Sequence, residues 1–198
     1  MNFATKFAFA AVPVAIVAAA IPAAAQNADL AKVQAHLSAV DSMTANFLQT
    51  DARGRSSTGT LQMSRPGKVR FQYGRGDLLL VADGKRLWFL DYTVGQKNSW
   101  ALNQTPLGLL LSSNPDVKNA KIIPSGDSRV VTVRASRAAY GTLILVFTRN
   151  ASAPGGLSLY GWTAVDAQNK KTTVKLSNVR YNVAVPASAF TFREPKKR

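Results

Sequence analysis

Cysteine is missing from all 198 residues. No disulfide braces the fold, and thiolate chemistry, whether nucleophilic, redox or metal-binding, is excluded. Histidine occurs once, at His36, and glutamate once, at Glu194. One imidazole and no thiol leave no set of ligands for a dedicated zinc or copper site. The aspartates are dispersed along the chain, so no acid/base couple stands out and no histidine–carboxylate–nucleophile grouping can be assembled. The stretch Gly156-Leu157-Ser158-Leu159-Tyr160-Gly161 misses the nucleophile-elbow spacing by a residue and lies in a strand pattern. A glycine-rich phosphate loop is also absent. An enzyme reading would rest on carboxylates that nothing brings together, and no cofactor is implied.

Apolar residues are plentiful, at 46% of the chain, and supply a core for one domain. Charge is lopsided, with 25 Lys and Arg against 10 Asp and Glu and a formal net charge of +15. Residues 1–25 read as a secretory signal peptide. Lys6 precedes an apolar run over 7–21, and Pro22-Ala23-Ala24-Ala25 supplies a small-residue cleavage site before Gln26. The run is shorter than the roughly 20 residues of a spanning helix. Residues 26–198 then form a single exported domain, placed in the periplasm, a monomer with no nucleic acid within reach. It lacks the cysteine on which a bacterial lipoprotein carries its own anchor. The cations are scattered, from Arg53 to Arg137, apart from the tail Lys196-Lys197-Arg198. They form either a solvated basic surface or one drawn to anionic head groups or an acidic partner.

Leu30, Val33, Leu37 and Val40 recur at helical spacing and predict a helix over 29–40. Beyond residue 42 the pattern changes to alternation with period two. Strands are predicted at 43–51, 58–65, 68–73, 78–83, 86–92, 95–102, 118–124, 129–135, 142–149, 157–166 and 171–181, joined by short turns such as Asp83-Gly84. Short connections predict a meander. Thr105-Pro106 before Leu107, Leu109, Leu110 and Leu111 predicts a short helix, and 186–189 another turn of helix. About eleven strands do not stay flat, so the fold class is mainly β with about three short helices, an antiparallel sheet that curls into a barrel or part of one.

Strands 58–65 and 68–73 have one wet and one dry face, whereas 78–82, 87–90 and 143–147 are apolar on both. Periodicity by itself favours a filled core over a ligand cavity. Arg65 keeps the register of Leu61 and Met63, so it points to the dry face at the strand end. It either snorkels to solvent at the rim or ties the sheet to an overlying element through backbone carbonyls.

Four motifs occur in order. Gly59-Thr60-Leu61-Gln62-Met63-Ser64-Arg65-Pro66 is a G-x-L-x-x-x-R-P segment, and Val81-Ala82-Asp83-Gly84-Lys85-Arg86-Leu87-Trp88 is a V-x-D-G-K-x-L-W hairpin. Thr105-Pro106 with its leucines comes next, then Phe190-Thr191-Phe192. Together, over 28–194, they resemble the LolA family of periplasmic lipoprotein carriers. That resemblance implies an incomplete eleven-stranded barrel closed by three helices, and a non-enzymatic carrier. Its cargo would be acylated lipoproteins, taken from an inner-membrane ABC exporter and passed to an outer-membrane receptor lipoprotein or to the outer membrane directly.

By position it implies that Arg65 is the lid latch. It also implies that Phe47, Leu61, Met63, Val69, Phe71, Trp88 and Leu90, with Leu107, Leu110 and Leu111 from the lid, line an acyl-chain cavity. The chain departs from the family in its short tail after Phe192 and its strong positive charge, which open the way to direct delivery to an anionic membrane. A lipid- or lipoprotein-binding sensor of the same fold, a lipopolysaccharide- or glycolipid-binding protein, and a hydrolase are the competing readings.

Overall fold

The computed structural model describes residues 23–117, 119–137 and 141–196. Most of the predicted signal peptide lies outside them. Helix α1, Ala23–Ala39, begins within its last three alanines, six residues before the predicted start, and ends one residue before the predicted end. Val33, Leu37 and Val40 are buried and Leu30 packs beside them, so the apolar stripe is the face that meets the sheet.

Eleven strands come after it: β1 Ser42–Thr50, β2 Ser56–Ser64, β3 Lys68–Tyr73, β4 Leu78–Asp83, β5 Arg86–Asp91, β6 Gln96–Ala101, β7 Lys121–Ile123, β8 Val130–Arg137, β9 Gly141–Arg149, β10 Leu157–Val165 and β11 Lys171–Tyr181. They form one antiparallel sheet in the order β6-β5-β4-β3-β2-β1-β11-β10-β9-β8-β7. The simple meander is therefore corrected. Two meanders, β1–β6 and β7–β11, are joined by β1 pairing with β11, and β6 and β7 are unpaired opposite edges. The chain crosses between those edges through a 3-10 turn at Leu102–Gln104 and helix α2, Leu107–Leu111.

The sheet is curled. Phe71 of β3 and Trp162 of β10 lie four strands apart, about 19 Å on a flat sheet. Their ring centroids are 6.1 Å apart. Bulges on β11 at Asn178–Val179 and on β10 at Tyr160 fall beside the central pairing and sharpen the bend there. The main core fills the concave side, under α1 and α2. Gly59 opens room within it. A Cβ there would stand 2.8 Å from the Phe47 ring, which pairs across from it.

A second, smaller core lies on the convex side of β4 and β5. There the C-terminal segment, with a 3-10 turn at Ala187–Phe190, runs back as a strap and buries Leu79, Val81, Leu90 and Phe190. Arg70 ties it down, donating to the carbonyls of Ala189 at 3.2 Å and Thr191 at 3.1 Å.

Candidate functional site: a lidded apolar cavity

Between the concave face and the two helices lies a small cavity. The sheet contributes Met43, Leu61, Met63, Val69, Phe71, Leu159 and Trp162, α1 contributes Leu37, Val40 lies just past its end, and α2 contributes Leu107, Leu110 and Leu111. Apart from the Trp162 indole, the polar groups of the wall belong to Arg65, His36 and Tyr181. Each has its partner in the backbone. His36 Nδ1 donates to the Pro154 carbonyl at 2.8 Å, and the Tyr181 hydroxyl accepts from the Leu159 N–H at 2.8 Å. Among the described residues no buried side-chain polar atom lacks a partner. The interior is thus chemically apolar, fitted to hydrocarbon and without a group to specify a polar ligand. Room for water-sized molecules amounts to about 40 Å³. One water takes roughly 10–15 Å³ on that measure, so a long acyl chain enters only if the lining moves.

Arg65 stands where that movement is held. Its guanidinium is partly buried at the end of β2, with Nε donating to the Leu110 carbonyl of α2 at 3.0 Å. Nη1 donates to the Leu37 carbonyl of α1. Both acceptors lie in the last turn of their helix, where carbonyls have no partner within the helix and a cation is favoured. One side chain thus caps two helices and joins each to the sheet. The Gly67 N–H donates to the Leu111 carbonyl at 2.7 Å and reinforces the hold on α2. Burial lowers the arginine pKa from its ordinary value, opposed by the nearby Asp41 carboxylate. Of the two sequence readings, snorkelling is not what the side chain does.

His36 is 2% exposed and packed edge-on against Phe147 and Tyr181. Its pKa is lowered, chiefly by burial, with Arg65 adding to the effect and the Pro154 and Leu157 carbonyls opposing it.

The sequence-derived wall is only partly assembled. Leu61, Met63, Val69, Phe71, Leu107, Leu110 and Leu111 line the cavity with Arg65. Phe47 is one step behind, its ring edge-on to Phe71 at 5.3 Å. Trp88 and Leu90 are corrected. They face the convex side and pack under the strap, while their neighbour Leu87 faces the main core. The residues missed were His36, Leu37, Val40, Met43, Leu159, Trp162 and Tyr181. Leu37 and Val40 carried a signal in the helical stripe. Tyr181, at the very end of a strand, carried none.

A family model described as outer membrane lipoprotein carrier protein LolA matches residues 38–193. The chain belongs to the LolA family. All four sequence motifs fall inside the LolA match, Arg65 included. A curated outer-membrane lipoprotein carrier protein of Chromobacterium violaceum is 27% identical over 195 residues, spanning 92% of this chain and 91% of its own. Another, from Legionella pneumophila strain Corby, is 29% identical over 178 residues, spanning 83% and 85%. A solved LolA superfamily protein from Nitrosomonas europaea superposes with a TM-score of 0.48 at 12% identity, covering 84% of this chain and 97% of that one. No helix among the described residues is long and apolar enough to cross a membrane.

Proposed function

We propose that this chain is a non-enzymatic periplasmic carrier that covers the acyl chains of lipoproteins between an inner-membrane exporter and the outer membrane. The observation that supports this most directly is the apolar cavity closed by α2 and fastened by Arg65. Each methylene removed from water contributes about 0.8 kcal/mol, so a free acyl chain is costly in the periplasm and needs a cover. The cover must also let go. The closed state supplies the means, because hydrogen bonds from a charged donor are worth about 1.5–3 kcal/mol each and re-form when cargo leaves. Their free energy offsets part of the cost of expelling the acyl chain.

Arg65 is therefore a release device, and its loss favours the loaded, open state by on the order of a hundredfold if about 3 kcal/mol is forfeited. The test is to purify the mature protein from its native periplasm and identify bound acylated proteins by mass spectrometry, for wild type and Arg65→Leu. Wild type should carry lipoproteins, and the variant should carry more and unload more slowly to outer-membrane vesicles. Absence of lipoprotein from both, or unchanged unloading by the variant, would overturn the proposal.

A further inference from the structure

The charge of this chain is sorted by place. None of the ten acidic residues lies in β1–β3 or β7–β11; they sit in α1, in loops, in the tail, or at the ends of β4 and β5. In the loops they neutralise cations, as in Arg55–Asp51 and Arg129–Asp127, and Asp29 of α1 pairs with Arg149. The convex face is different. Lys121, Arg134, Lys171, Lys175 and Arg180 all project from it, all are exposed, and none makes an ion pair among the described residues.

Lys121 and Arg134 stand directly opposite each other across the β7–β8 pair, an arrangement that disfavours folding and finds no local compensation. Apolar groups share the face. Leu48 is 40% exposed, opposite Lys175, and Tyr160 is 46% exposed on its bulge. Beside Arg180 the surface dips into a polar groove of about 550 Å³ whose lining includes Asn46, Gln62, Asn178, Thr44 and Thr60 and no carboxylate. The strap covers the convex side over β3–β5, so the convex side of β1, β2 and the second meander is open.

We infer that the uncovered convex face of β1, β2 and β7–β11 is a docking surface for an anionic phospholipid bilayer. Several unpaired cations on one side of a rigid sheet sum their attraction to a negative leaflet, and scattered Leu and Tyr side chains settle at the head-group level. The groove beside Arg180 receives head-group phosphate. Its amides and hydroxyls can donate to phosphate oxygens, and a guanidinium pairs with phosphate in a fixed geometry. Because this face is on the far side of the sheet from the cavity, a docked molecule keeps its lid free to open. This surface concerns where the empty protein rests, so it stands or falls independently of the cargo.

The experiment is sedimentation of cargo-free mature protein with phosphatidylcholine vesicles, with and without phosphatidylglycerol. Binding is expected only to the anionic vesicles and should be lost as salt is raised to about 0.5 M. Arg134→Glu/Lys175→Glu should weaken binding by more than about tenfold, and Arg180→Glu should weaken it further. Arg75→Glu/Lys85→Glu changes net charge equally on loops elsewhere and should bind nearly as wild type. Should charge reversal unfold the sheet, Arg134→Gln/Lys175→Gln serves in its place, with a smaller loss. Equal binding to neutral vesicles, no vesicle binding at all, equal losses in both double variants, or capture by acidic protein surfaces in place of vesicles would each overturn the inference.

Discussion

His36 is the one imidazole in the molecule, and the fold packs it between Phe147, Tyr181 and the Pro154 carbonyl. Its pKa in the folded state lies below the ordinary 6.5, chiefly because burial disfavours the cation. The unfolded chain therefore binds a proton more readily, and stability falls as pH drops below about 6.5. Asp51, Asp83 and Asp127 also have lowered pKa values, from an ordinary 3.8, but their contribution is lost only in more acid solution. Between pH 7.5 and 5, thermal unfolding should thus shift downward in wild type and shift less in His36→Asn, whose amide keeps a donor near Pro154. Equal shifts would show that His36 is not the titrating group. At this scale the sequence was informative where a residue broke a pattern. Arg65 did so by occupying a dry register position, whereas His36 sat inside a helical stripe and gave no sign that it would reach the cavity.

Among the elements, α1 is anchored at several points besides Arg65, whereas α2 is held by Arg65 and the Gly67 N–H. The Asp29 carboxylate pairs with Arg149 at 2.8 Å, the Gln34 amide donates to the Pro115 carbonyl at 2.7 Å, and the turn at Pro154–Gly156 presses against the helix. Gly155 makes that approach possible. It has a φ of +64°, and a Cβ would stand 2.5 Å from the His36 backbone nitrogen and 2.9 Å from the Lys32 carbonyl oxygen. Gly155→Ala should cost about 2 kcal/mol or more in urea unfolding, from strain and displacement of α1 together. Gly156→Ala, with φ of +71° and open space around its Cβ position, should cost about half as much. Similar losses would mean that contact with α1 is not limiting.

Strand positions were legible because period-two alternation and turn residues mark them locally. Which face of a two-sided apolar strand meets the cavity was not. In β5, Leu87 faces the main core and Trp88 and Leu90 the strap, whereas the resemblance implied both for the cavity wall, one register step away.

For the molecule as a whole, the long-range pairing of β1 with β11 turns two local meanders into one curled sheet, and no local signal announces it. The strap is similarly remote. Its Phe190 is 6% exposed against Leu79, Val81 and Leu90. Phe190→Ala should lower stability by about 3 kcal/mol, seen as an earlier urea midpoint, while leaving cargo binding on the other face of the sheet intact. A loss of cargo at unchanged stability would place the strap in the binding path instead.

The acceptors that Arg65 uses are main-chain oxygens of Leu37 and Leu110, not side chains. Every residue type supplies the same carbonyl, so substitutions in α2 leave the fastening untouched as long as the helix forms. The shape of the interior and the strength of its closure can therefore drift apart over generations. A lineage can refit the leucines to a longer, shorter or more branched hydrocarbon without losing the means to let it go.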